Sequence, residues 1–336
     1  MSIFIVDGKL FASEFSISNQ QFLHSTREVS LLIFWILFNL FAVGMLVLDL
    51  LVFHRRGRVV RSREALAWTS LWMGLAAAFA GLIFFWQGRQ VALEFVTGYI
   101  LELSLSVDNL FIFLVIFRYF SVPEQHQRSV LFWGILGALL MRGFFILAGV
   151  GLIHRFHWIL YLLGALLIYS GIRLGFMGEH QVDPAKNPAV KALRRWMPVT
   201  DQYQGGRFFV HGWKGNPGLY VTPLLIVLAV IETTDVLFAV DSIPAVLAVT
   251  LNAFIVYTSN IFAILGLRSM YFAVSGLMRV FRFLHAGLAL VLVLVGLKMI
   301  AADYFPVSTL VTLGAVAGVL VASVAASIAY PAPSEK

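Results

Sequence analysis

The sequence predicts an all-α fold, a polytopic transmembrane helical bundle of about nine spans, on three observations. Of 336 residues, 60% are hydrophobic and only 12% are charged, too few charges for the polar surface of a water-soluble domain. Apolar runs of roughly 18 residues or more, enough to cross about 30 Å of hydrocarbon, recur along nearly the whole chain. These runs lack the strand-length alternation of a barrel, the only other design that satisfies backbone groups in lipid.

Residues 1–29 read as an extracytoplasmic N-terminal segment rather than a secretory signal. The basic cluster follows the first span, as His54-Arg55-Arg56-Gly57-Arg58 with Arg61 and Arg63, instead of preceding it. Cytoplasmic loops hold the excess of Lys and Arg, so this cluster sets the N-terminus outside. Spans are expected at 30–53, 65–86, 92–117, 129–153 and 156–176, making 30–176 the first transmembrane part. With alternating crossings, Arg118 and Arg128, the stretch Lys186 to Lys214, and Arg279 with Arg282 all fall inside.

The hydrophilic stretch 177–217, with Asp183-Pro184, Asn187-Pro188 and Asn216-Pro217, reads as a cytoplasmic linker. Its Trp196 and Trp213 are expected at the headgroups. Spans at 218–250, 252–275, 283–302 and 307–329 make up the second transmembrane part, 218–329, and 330–336 is a cytoplasmic tail. The net charge of +7 is then chiefly a topology signal, with anionic-lipid or other anion binding the lesser reading and no nucleic-acid partner expected. With no Cys in the chain, disulfides and thiolate metal sites drop out.

The two parts repeat one another. Glu102-Leu-Ser-Leu-Ser-Val-Asp108-Asn109 of span 3 matches Asp235-Val-Leu-Phe-Ala-Val-Asp241-Ser242 of span 6. Ile135 through Arg142 matches Ile261 through Arg268, and Gly171-Ile-Arg173 matches Gly296-Leu-Lys298. Each match is anchored on a charge that lipid penalises. Three spans separate the units, so the repeat, spans 3–5 against 6–8, is inverted. A pseudo-two-fold axis in the membrane plane then brings the acidic segments together near mid-depth, where secondary transporters hold ions.

An ionised side chain at the centre of an isolated helix costs about 2.5–3.5 kcal/mol or more, and Glu102, Asp108, Glu232, Asp235 and Asp241 compound that cost. Arg142 and Arg268 are read as fixed counter-charges, but two cations do not neutralise five acids. In an unbroken helix the spacing of Glu102 and Asp108 puts them about 120° and about 9 Å apart, so a shared ligand calls for local unwinding. Ser104, Ser106 and Asn109 offer the backbone competing bonds, and Pro244 frees the carbonyl of Val240 beside Asp241 and Ser242. Broken helices at an acidic central site are therefore expected, with Asn109, Ser242, Val240 and Asp49 as additional candidate ligands. Asp49 reads equally as an interfacial salt-bridge acid.

All eight His lie in outer segments, loops or span ends, and neither acidic segment holds a Met. Oxygen ligands suit Mn2+, Ca2+ or Mg2+ better than Zn2+ or Cu+. Crowded carboxylates have coupled proton affinities, which makes exchange for protons chemically natural. No resident cofactor is expected; the ion is cargo, and protein partners are not legible. An enzyme is not expected, because neither Gly-x-Gly-Asp nor His-Glu-x-x-His is present and no His accompanies the acids.

The segments "ELSLSVDNLFIF", "DVLFAVDSIPAVLAVT" and "TSNIFAILGLRSMYF" resemble the signature of the TerC/Alx family of integral membrane proteins, over about residues 30–329. The resemblance implies a nine-helix inner-membrane protein with an acidic central site, associated in various members with tellurite resistance, alkaline-pH response and manganese efflux. The matching acids are Glu102, Asp108, Glu232, Asp235 and Asp241. The likeness is closest to the Alx-type, manganese-linked branch, which implies Mn2+ export as the function. A membrane scaffold, or a tellurite-resistance protein without transport of its own, is the alternative.

Overall fold

A computed structural model of the protein describes residues 32–48, 62–177, 187–274 and 283–330. The chain divides into two compact units, Met1–Gly57 and Arg58–Lys336. The first contributes α1 (Leu32–Leu48), an apolar helix in which Asn39 Nδ2 donates to the Trp35 carbonyl at 2.8 Å, satisfying a polar amide within its own run.

The second unit carries α2 (Ser62–Gln87), α3 (Arg89–Tyr119), α4 (Glu124–Arg155), α5 (Ile159–Met177) and α6 (Pro188–Trp196), then strands β1 (Phe209–Trp213) and β2 (Asn216–Val221). It continues with α7 (Pro223–Leu247), α8 (Ala253–Val274), α9 (Leu284–Ala301) and α10 (Thr309–Ala329). Among the described residues, α2, α3, α4, α5, α7, α9 and α10 are long and apolar enough to cross a membrane. The remaining apolar helices, α1 and Ala253–Leu267 of α8, are shorter over the residues searched. A single residue, Gly88 at φ 90°, links α2 to α3, a backbone conformation open to glycine and strained for other residues.

Two features differ from the sequence expectation. Residues 218–221 of the expected span are strand and 248–250 lie past the helix, so α7 has 25 residues instead of the 33 of the apolar run, about 38 Å of helix that needs no break to fit a bilayer. Both acidic helices run unbroken. Pro244 lies in the last turn of α7 and offers no N–H to the carbonyl of Val240, yet the helix continues past it to Leu247. Ser104 bonds the Ile100 carbonyl at 2.7 Å within α3, adding to the helix instead of competing with it.

Between the two halves, α6 starts on Asn187, whose side-chain oxygen accepts from Ala189 N at 2.9 Å. The strands pair antiparallel around Lys214 and Gly215, both at positive φ (51° and 85°), the turn geometry that matches the twist of a two-residue hairpin. Tyr203 Oη docks this segment on the end of α3, donating to the Phe120 carbonyl at 2.6 Å.

Helix α3 is the hub, packed on α2, α7, α8 and α10, while α4 packs on α7 and α8 and α5 pairs with α9. Large apolar side chains such as Phe85, Leu140 and Phe176 cover the outside (88%, 71% and 89% exposed), the surface that hydrocarbon would solvate.

The α5–α9 contact carries an internal symmetry. A Cβ on Gly171 would lie 2.7 Å from the Ala289 carbonyl oxygen and 3.0 Å from Val293 N. One on Gly296 would lie 2.7 Å from the Gly164 carbonyl oxygen and 3.1 Å from Ile168 N. A shift of 125 residues carries Gly171 to Gly296, Gly164 to Ala289 and Ile168 to Val293, so the two contacts interchange. Higher numbers on one helix meet lower numbers on the other, so the pair is antiparallel, the relation an axis perpendicular to the helices produces.

Candidate functional site

Helix α4 brings Arg142 to the centre of the bundle, 2% exposed. Its guanidinium is ion-paired with Glu102 of α3 and, through Nη2 at 3.2 Å, with Asp235 of α7. Nη1 also donates to Asn260 Oδ1 of α8 at 3.2 Å and reaches Ser242 Oγ of α7 at 3.4 Å. The fork of donors on one planar group lets a single side chain join four helices. Glu102 and Asp235 are 0% and 3% exposed, so neither carboxylate recovers the hydration it gave up.

The pairing is incomplete. Glu102 Oε2, Asp235 Oδ2, Asn260 Nδ2, Ser106 Oγ and Arg142 Nε are buried with no hydrogen-bond partner among the described residues. Among the described side chains one guanidinium faces two carboxyl groups. A buried, half-satisfied carboxylate pair of this kind is completed by a proton or by a second cation.

Asp241 bonds across to α5. Its Oδ1 accepts from Ser170 Oγ of α5 at 2.6 Å, and it lines a cavity of about 60 Å³ with Asn109, Ser170, Thr234 and Ser242. Leu105, Leu174, Leu237, Phe238 and Leu292 form the apolar remainder of the wall. The polar lining is entirely of oxygen and amide groups, the donor set of hard cations and water. Ser242 belongs to both places, with its Oγ against Arg142 and its side chain on the cavity wall.

Glu232 faces α4 over Gly137, where a Cβ would overlap its carboxylate. Val240 points outward, 44% exposed. Asp108 and Arg268 lie on α3 and α8, with their side chains outside the described set, and Asp49 lies outside the described residues. Among the described residues no three His, Cys, Asp or Glu gather in a metal-holding group. Glu102 and Asp235 thus meet on Arg142, Glu232 lies within electrostatic reach of Asp235, and Asp241 lies on the cavity wall. In a continuous helix Glu232 and Asp235, three apart, share a face, whereas Asp235 and Asp241, six apart, face different directions. Sequence reasoning did not single out Asn260 or Ser170; both are polar groups inside apolar runs, and that polarity was the available signal.

The family model of the integral membrane protein TerC family matches residues 87–335. An uncharacterized membrane protein of Myxococcus xanthus is 45% identical over 294 residues, 88% of this chain and 91% of its own length. Proteins of Salmonella typhi and Escherichia coli strain K12, both provisionally named membrane-bound redox modulator Alx, are each 45% identical. The matches cover 85% and 82% of this chain and 91% and 88% of theirs. No solved structure matches.

Proposed function

We propose that this chain, which belongs to the TerC family of integral membrane proteins, moves a small divalent cation across the membrane on the carboxylates of α3 and α7. One observation carries the reading: Glu102 and Asp235 share a single guanidinium in the dry centre of the bundle, with one oxygen of each left unpartnered. The cavity at Asp241 supplies a neighbouring oxygen-lined station, and the Asp108 segment of α3 is its repeat counterpart. Arg142 acts as an internal counter-ion that holds the pair together between turnovers.

Mn2+ is the proposed cargo, with Ca2+ and Mg2+ sharing its ligand preference, and protons are the proposed exchange ion. The site is proposed to lie in the cytoplasmic membrane, with the N-terminus outside. Exporting a divalent ion against an inside-negative potential costs about 4.6 kcal/mol per 100 mV, so a coupled flux is required. The redox name of the relatives fits an indirect effect of metal balance, because a chain without Cys has no thiol of its own to exchange.

Uptake of Mn2+, Ca2+, Mg2+ and Zn2+ into inside-out vesicles tests this. The native chain is expected to accumulate Mn2+ and D241N to lose that accumulation; equal uptake by both would remove transport from this site.

A further inference from the structure

A second polar cluster lies at the end of the bundle where α3 begins and α7 ends. Glu94, on the second turn of α3, accepts at Oε2 from Thr250 Oγ1, in the α7–α8 connection, at 2.7 Å. Gln90 Nε2 donates to Glu94 Oε1 at 3.2 Å and to Thr309 Oγ1, the first residue of α10, at 2.7 Å. Lys298 of α9 donates to the carbonyl of Ala248, the C-cap of α7, at 3.2 Å, and its ammonium lies within electrostatic reach of Glu94. Groups from α3, the end of α7, α9 and α10 are thereby tied across one end of the helices that line the Asp241 cavity.

The repeat shows that this tie has no counterpart. The shift that carries Glu102 to Asp235 carries Glu94 to Val227, a fully buried apolar residue. The shift that carries Gly171 to Gly296 carries Arg173 to Lys298, yet Arg173 is exposed on α5, and no hydrogen bond or ion pair is recorded for it among the described residues. In a transporter built from inverted repeats the two ends exchange roles during the cycle, so a contact made at one end without its mate at the other marks the closed side.

We propose, resting on the transport reading above, that Glu94 and Lys298 are the gating pair of the cation path, positioning residues that shut it at the α3 N-terminal end. Lys298 holds the end of α7 through the Ala248 carbonyl, and Glu94, within electrostatic reach of Lys298, holds the α7–α8 connection against α3 through Thr250. Neutralising either partner frees the end of α7 without touching Asp241 or Arg142.

The chain has no Cys, so single cysteines report access without background. Thr234→Cys places a near-isosteric thiol on the cavity wall, and Phe305→Cys, at an exposed site beyond α9, identifies which face of a sealed vesicle carries the gate end. In the Thr234→Cys background, E94Q and K298M are expected to raise labelling by a membrane-impermeant thiol reagent at least about tenfold from the face that labels Phe305→Cys. K298R, which keeps the charge and the donor, is expected to stay at the native rate. No increase in either neutralised variant, an equal increase in K298R, or an increase from the opposite face would overturn the gate. Labelling is read without any metal, so a failed gate and a failed transport assignment give separate results.

Discussion

At the scale of single residues, Arg142 organises the centre. Its charge offsets part of the cost of burying Glu102 and Asp235, and removing it strands both carboxylates. Arg142→Met is therefore expected to destabilise the protein by about 3–5 kcal/mol, read as a lowered melting temperature in detergent, whereas Arg142→Lys retains the charge but not the fork that reaches three other helices. An unchanged melting temperature in Arg142→Met would show that both acids are already neutral. The five acids and two arginines were legible in the sequence because lipid makes each one costly. Their partition was not, since which acid meets which cation depends on helix rotation and register that no local pattern encodes.

At the scale of elements, the α5–α9 pair is set by glycines that let backbones touch. Leucine at Gly171 or at Gly296 would overlap a carbonyl of the opposite helix, and each is expected to cost roughly 1–3 kcal/mol, with closely similar losses because the two contacts interchange. Comparing the two melting temperatures checks this, and a large inequality would contradict the equivalence.

Beyond the same helices, Asp303 accepts from Tyr161 Oη at 2.5 Å and sits 3.3 Å from His157 Nε2. The Tyr161 hydrogen bond first, then His157, holds the Asp303 carboxyl below its ordinary 3.8. A depressed carboxyl supports the contact above its unfolded value and loses it as pH falls through the folded one. An NMR titration should place Asp303 below 3.8 in the native chain and return it toward that value in Tyr161→Phe. Most helix positions were readable from apolar run length, but α7 was read too long because the apolar residues of β2 continue its hydropathy without continuing its helix.

At the scale of the whole molecule, the fold is a helical membrane bundle whose only described sheet is the hairpin between its halves. Between α5 and α9 the contacts at Gly171 and Gly296 interchange under a shift of 125 residues. Strict symmetry fails in two informative places: Arg142 serves both Glu102 and its repeat mate Asp235, and Lys298 is tied down where Arg173 is exposed. On the transport proposal such inequality is expected, because identical ends would leave the path equally open or equally shut on both sides.

The central claim, that carboxylates buried on α3 and α7 take up a hard divalent ion, is tested most directly by equilibrium binding of Mn2+ to the purified protein, followed as loss of the free-ion electron paramagnetic resonance signal. The native chain is expected to bind Mn2+ with release of protons to the medium, and Glu102→Gln with Asp235→Asn to abolish binding while leaving the helical content intact. Undiminished Mn2+ binding by that double variant would contradict the claim.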